Sequence, residues 1–335
     1  MPERLGQHTI LLSNAPTVLG HGAVAGKKEG EGPLGKAFDR IFDDTRLGEK
    51  TWEKAESALQ REAISFALDA AGLAPTQLQV LFAGDLLNQN IASTFALRGM
   101  NVPLLGQFGA CSTMGQVMAM GAIFVDSGAA DLCGGVTSSH FCTAERQFRF
   151  PLEYGGQRTP TSQWTATAAG AVIIGRGGSG VRISAVCIGR VQDYGVTDMN
   201  NMGGAMAPAA ADTLVRFFED TGTSPDDYDR IFTGDLGLVG SALNRELCSQ
   251  RGYTLGDNYT DCGMLLFDRD TQDVHAGGSG CGCCAGVLCS HILPQMERGI
   301  WHKVLFAPTG ALMSPTSSQQ GESIPAISHA VLLEV

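Results

Sequence analysis

Apolar positions along the chain fall into two sets that repeat in the same order. LQVLFAGDLLNQNIASTFAL (Leu78 to Leu97) and YDRIFTGDLGLVGSALNREL (Tyr228 to Leu247) align without gaps. Each is a short apolar strand, then Gly-Asp-Leu (Gly84-Asp85-Leu86 and Gly234-Asp235-Leu236), then a helix-compatible stretch. An amphipathic helix is predicted before each, over Trp52 to Ala71 and over Ala209 to Asp220. In AGLAPTQLQ and TGTSPDDYD a Gly ends that helix and a Pro marks the following turn.

A second pair follows the first. Gly109 to His140 and Gly280 to Leu312 both run from a Gly/Cys/Ser-rich turn into an apolar helix, then into a strand with a Gly exit. The separation between copies grows from 150 residues in the first pair to 171 in the second, which places an insertion at roughly Leu255 to Gly277. The strand KVLFAP is apolar without alternation, as expected of a strand covered on both faces. The helix after Cys111 carries Val117, Met118, Met120, Ile123, Phe124 and Val125, too apolar for a surface helix. Two copies of helix–strand–helix–strand make a duplicated α/β protein with buried helices packed between two sheets. Its halves are predicted at 1–182 and 183–335.

Composition narrows the chemistry. The 335 residues include 44 Gly and 10 Cys and carry a formal net charge of −11. The acidic balance, with no Lys/Arg-rich run, argues against a nucleic-acid partner. Only six lysines occur, five of them before position 55, which leaves no Walker-type phosphate loop or Schiff-base lysine to expect. Any anion must rely on Arg or backbone N–H groups. No stretch approaches the ~18 consecutive apolar residues of a membrane span. A start without a basic-then-apolar leader, together with many cysteines, leads us to expect free thiols in a reducing compartment. Cys281, Cys283, Cys284 and Cys289 match no standard zinc spacing and are expected to pack rather than ligate.

Cys111, in Gly109-Ala110-Cys111-Ser112-Thr113, stands immediately before the apolar helix. A thiol at a helix N-terminus feels the positive dipole end, which lowers its pKa and favours thiolate; the same N–H groups offer an anion site. The alternative is a small residue chosen for tight packing at a turn.

The order helix–strand–Gly-Asp–helix, then GACS at a buried helix, then Leu132-Cys133-Gly134-Gly135-Val136, repeated in a second half, resembles the thiolase and β-ketoacyl synthase superfamily. FAGDLLNQN, GQFGACSTM, GGVTSSHFCTAERQFRFPLEYGGQRTPTSQWTATAAGA, DMNNMGGAMAPAA and GGSGCGCCAG narrow the resemblance to the stage V sporulation AD family within it. This implies a thiolase-like α/β fold, two pseudo-symmetric halves forming a five-layered αβαβα sandwich. It also implies membership of the spore machinery that moves dipicolinic acid (pyridine-2,6-dicarboxylate) into the forespore. The further implications are no cofactor, a homodimer formed through the edge strand of the first half, integral membrane partners, and a place at the periphery of the spore inner membrane.

Condensing enzymes pair the nucleophilic thiolate with two His or a His and an Asn. Where the ketoacyl synthase III branch carries its His, this chain has Thr233-Gly234-Asp235. Where that branch carries its Asn, it has Ala276-Gly277-Gly278-Ser279-Gly280. A carboxylate beside the thiol would raise its pKa and repel a carbanion, so catalysis is expected to be disabled and Cys111 to be a vestigial nucleophile.

The expected ligand contacts are Asp85, Cys111, Ser112, His140, Asp235, Gly278 and Ser279. Asp85 and Asp235 should approach the dyad near Cys111. They would serve either as helix caps or as an acidic pair holding a protonated pyridine nitrogen or a shared Ca²⁺. Arg149 and Arg158, in a segment expected to form an irregular loop over the pocket with Arg146, are the candidate carboxylate clamps. His275 is expected to be an ordinary loop histidine. The resemblance and these residues together lead us to expect non-catalytic binding of dipicolinic acid, free or as its calcium chelate. The alternatives are an acyl-condensing enzyme using Cys111 with His140 or His275, and a structural plug with a vestigial pocket.

Overall fold

The structure, a computed structural model, describes residues 1–148 and 158–335. In the first half the principal strands are β1 (Thr17–Gly26), β2 (Val80–Gly84), β3 (Leu104–Gly106), β4 (Leu132–Ser139) and β5 (Ala168–Gly175). Its helices are α1 (Trp52–Ala71), α2 (Ile91–Leu97), α3 (Thr113–Ser127) and α4 (Phe141–Phe148). The second half carries β6 (Arg182–Cys187), β7 (Arg230–Thr233), β8 (Tyr259–Asp261), β9 (Lys303–Ala307) and β10 (Ala330–Glu334). Its helices are α5 (Met202–Thr221), α6 (Gly237–Ser249) and α7 (Cys281–Val287).

The strands lie in the orders β3-β2-β4-β5-β1 and β8-β7-β9-β10-β6, the same topology twice. In each, the first three strands run parallel and the fourth is antiparallel to both neighbours. The two sheets meet through the single pair Arg182–Thr17.

Strand alternation explains the unbroken apolar runs. Along β2, Val80 and Phe82 face the middle of the molecule with Met114, Val117 and Met118 of α3, whereas Leu81 and Ala83 face α1. Along β9, Val304 and Phe306 face the same middle layer, and Leu305 and Ala307 face Leu214 and Phe218 of α5. Each strand is therefore covered on both sides. α3 and α7 form the central layer, α1 one outer layer and α5 the other, which gives the five-layered thiolase-like sandwich.

The repeat holds to the level of dihedral angles. α1 ends at Gly72 with φ 66° and ψ 31°, and α5 at Gly222 with φ 65° and ψ 29°, the left-handed cap that suits glycine. α5 starts at Met202, earlier than the Ala209 expected from sequence, and runs through Pro208. Its first turns are held by a helix–helix crossing, where a Cβ on Gly203 would lie 2.4 Å from the Leu236 carbonyl oxygen and one on Gly240 2.6 Å from that of Gly203. Tertiary contact overrides the proline signal there. The segment around Arg146, expected to be irregular, is the helix α4 up to Phe148. Among the described residues no helix is long and apolar enough to cross a membrane.

Candidate functional site

Following the Gly-Asp-Leu exits of β2 and β7 leads to a partly open cavity above Cys111. Leu86, Phe108, Phe148 and four methionines, Met199, Met202, Met206 and Met313, make its walls; Cys111, Ser279, Thr165 and Glu145 bring the polar atoms. Methionine thioethers and aromatic rings form an adaptable apolar slot. Three of the four methionines come from the DMNNMGGAM run at spacings of three and four, one face of a helix start. That periodicity is a signal in the sequence that marks them as lining. Glu145 carried no such signal.

Cys111 Sγ lies 4.0 Å from Ser279 Oγ, and Ser279 Oγ donates to Asp235 Oδ2 at 3.3 Å. Asp235 is fully buried; its Oδ1 accepts from Thr309 Oγ1 at 2.9 Å and its Oδ2 also from Gly280 N at 3.2 Å. Burial lifts the Asp235 carboxyl to about 7. Burial, then the Asp235 carboxylate and Cys281, push the Cys111 thiol well above its ordinary range. The helix end therefore does not make a thiolate. Desolvation outweighs the dipole, contrary to the expectation from position alone.

The other expected residues scatter. Asp85 does not line the cavity: its Oδ1 accepts from Leu87 N at 2.9 Å and its Oδ2 from Ser93 N at 2.8 Å and Ser93 Oγ at 2.6 Å, so it acts as a turn cap. Beside it lies the buried Glu56, unnoticed in the sequence, accepting from Ser138 Oγ at 3.1 Å and Thr143 Oγ1 at 2.6 Å. Both carboxyls are raised by burial. The oxygens of Asp85 and of Asp235 are thus held by separate sets of protein donors. Among the described residues no three His, Cys, Asp or Glu side chains converge as a metal cage.

Ser112 is fully buried and donates to the Gly109 carbonyl at 2.7 Å. The Gly278 carbonyl accepts from Gln163 Nε2 at 2.8 Å, and a Cβ on Gly278 would stand 3.0 Å from Cys283 Sγ. Arg158 donates to the Gln163 carbonyl, its guanidinium 4.8 Å from the Trp164 ring centre. Arg149 lies outside the described residues. His275 pairs with Asp273 at 3.2 Å and is not in the cavity wall.

His140 turns away from Cys111. Its Nδ1 accepts from Cys142 N at 3.1 Å, which leaves the proton on Nε2 to donate to the Thr45 carbonyl at 2.8 Å. Its ring packs 5.3 Å from that of Trp52, and burial lowers its pKa. Both nitrogens are engaged, so it has no lone pair for a cavity proton. We expect His140→Ala to cost about 2–3 kcal/mol in urea unfolding through two lost hydrogen bonds and a ring contact. The alkylation rate of Cys111 should stay within about twofold; a large change in that rate would return His140 to the site.

A buried cysteine ending an apolar slot, at the pseudo-dyad of two α/β halves, defines the class: a thiolase-like protein built on the plan of condensing enzymes. Solved structures agree. 3-Oxoacyl-[acyl-carrier-protein] synthase III from Aquifex aeolicus VF5 superimposes with a TM-score of 0.57 at 13% identity, covering 96% of this chain and 100% of that one. Cerulenin-bound OleA from Xanthomonas campestris gives 0.61 at 12% identity, covering 99% and 100%. Within that fold the chain belongs to the stage V sporulation protein AD family, whose pattern matches residues 6–334. It is 44% identical over 328 residues to the stage V sporulation protein AD of Bacillus subtilis (strain 168), covering 98% of this chain and 95% of that protein.

Proposed function

We propose that this chain is a non-catalytic ligand-binding protein of sporulation. It would hold dipicolinic acid, free or as its calcium chelate, in the cavity above Cys111 for uptake into the developing spore. The observation that carries this reading is the partner of the old nucleophile: Cys111 faces a buried carboxyl, Asp235, through Ser279, and neither His140 nor His275 joins it in the wall. A thiol held neutral by burial and a neighbouring acid cannot start acyl transfer, whereas a slot of methionine and phenylalanine suits a flat ring. The protein would work at the periphery of the spore inner membrane, with integral membrane proteins of the same transport complex.

The apolar slot ending on a thiol also favours a second reading, an acyl-condensing enzyme. Calorimetry with pyridine-2,6-dicarboxylate, with and without Ca²⁺, should give saturable heat. Acyl-CoA should leave Cys111 unmodified. CoA release with acylation of Cys111 would reverse the choice.

The homodimer has its own support. The terminal strand β3, the helix α2 and the segment after β3 expose Phe95, Leu104, Leu105 and Phe108, the last 49% accessible, along an edge unpaired among the described residues. A Leu105→Arg variant should halve the mass seen by light scattering while keeping its fold by circular dichroism. An unchanged mass would remove this edge as the interface.

A further inference from the structure

We propose that Asp235 and Ser279 couple the binding of a carboxylate ligand in the cavity to the uptake of one proton, with Asp235 taking the proton and Ser279 turning its hydroxyl from the aspartate to the ligand. The proposal rests on the reading above, that the cavity receives a carboxylate.

Ser279 is the link between the two. Ser279 lines the cavity, and its Oγ stands 4.0 Å from Cys111 Sγ and donates to Asp235 Oδ2 at 3.3 Å. An ionised carboxylate only accepts hydrogen bonds. While Asp235 is charged, the Ser279 proton is committed to it and the hydroxyl turns only lone pairs toward the cavity, which repel a carboxylate. Thr309 Oγ1 and Gly280 N donate to Asp235 in either state. A protonated Asp235 must therefore place its own proton on Ser279 Oγ or Cys111 Sγ. Donation to Ser279 frees the serine O–H for the ligand, and the buried negative charge disappears at the same moment.

The groups facing Asp235 are Cys111 from the turn before α3, Asp261 from β8, Cys262 just after it, and Cys281, Cys283 and Cys284 from α7. Burial holds these thiols neutral, and Asp261 is tied by Thr233 Oγ1 at 2.7 Å and by the Leu236 and Gly237 amides, each at 2.9 Å. With its carboxyl near 7, Asp235 exchanges its proton close to neutrality. This answers how so acidic a chain accommodates an anion: the proton enters with it.

The test is calorimetric titration of the full chain with pyridine-2,6-dicarboxylate in calcium-free buffer. Tris and phosphate, which differ in ionisation enthalpy, are compared at pH 8 and pH 6. Near pH 8 uptake should approach one proton and affinity should fall about tenfold per pH unit above 7; at pH 6 uptake should be close to zero. Asp235→Asn should flatten the pH profile, and Ser279→Ala should weaken binding at pH 6 about tenfold or more and flatten it too. Equal heats in the two buffers at pH 8, or an Asp235→Asn variant that keeps the slope, would overturn the relay while leaving dicarboxylate binding intact. Absence of saturable heat at both pH values, with Ca²⁺ added as a further arm, would overturn both.

Discussion

Cys111 should react with iodoacetamide at pH 7.5 at least a hundredfold more slowly than a free cysteine, and replacing Asp235 should reverse a large part of that. An ordinary thiol of pKa ~8.5 is about one-tenth ionised at this pH, and every further unit of pKa costs a factor of ten in thiolate. Burial is the first cause of the upward shift at Cys111 and the Asp235 carboxylate the second. Asp235→Asn removes only the second, so about tenfold of the rate should return. Asp235→His adds a group that can carry positive charge beside the sulfur, and the gain should reach about a hundredfold. Asn is near-isosteric and keeps an acceptor for Thr309, so it guards against an imidazole that fails to fit. Cys142 is the half-buried thiol of the set, and labelling must be read at the Cys111 peptide by mass. A native Cys111 that alkylates like free cysteine would show that the thiolate survives, and the condensing-enzyme reading would regain its footing.

The fold was legible in the sequence because its signals are local and doubled. Gly72 and Gly222 are fixed by a left-handed backbone and Pro75 and Pro225 by the first turn of a short helix, and each recurs at the equivalent place in the other half, as do the two Gly-Asp-Leu exits. The start of α5 is not legible locally because its first turns depend on the contact between Gly203 and Gly240, residues far apart in the chain.

The site was harder to see. Asp85 and Asp235 hold equivalent places in the repeat, yet one caps a turn on Ser93 and the other stands under the cavity. Pseudo-symmetry places backbone, while the partners of each side chain come from different neighbours. His140 looked like a cavity residue from its strand exit, but its ring direction is set by Thr45 and Trp52, nearly a hundred positions earlier. The thiol's protonation turned on burial, which no spacing rule reports.

Burial should also show in stability against pH, most clearly at Glu29. This side chain is 1% exposed, and its Oε1 accepts from Thr167 N at 2.9 Å. Burial raises its carboxyl from 4.5 to about 7. Below about pH 4.5 both the native and the unfolded chain carry the proton, and Glu29 does not tilt the balance. Between about 4.5 and 7 the unfolded chain ionises first, so the native state loses stability as pH rises. Above 7 both forms are ionised and the loss is constant, about 3 kcal/mol at 1.36 kcal/mol per unit. Gln keeps the acceptor for Thr167 and cannot ionise. Glu29→Gln should therefore unfold at the same urea concentration as the parent near pH 4.5 and be about 3 kcal/mol more stable at pH 8. The sign is opposite to that of a surface ion-pair carboxylate, which stabilises as it ionises. A Gln variant no more stable than the parent at pH 8 would mean that Glu29 is better solvated or paired when charged than its buried position implies.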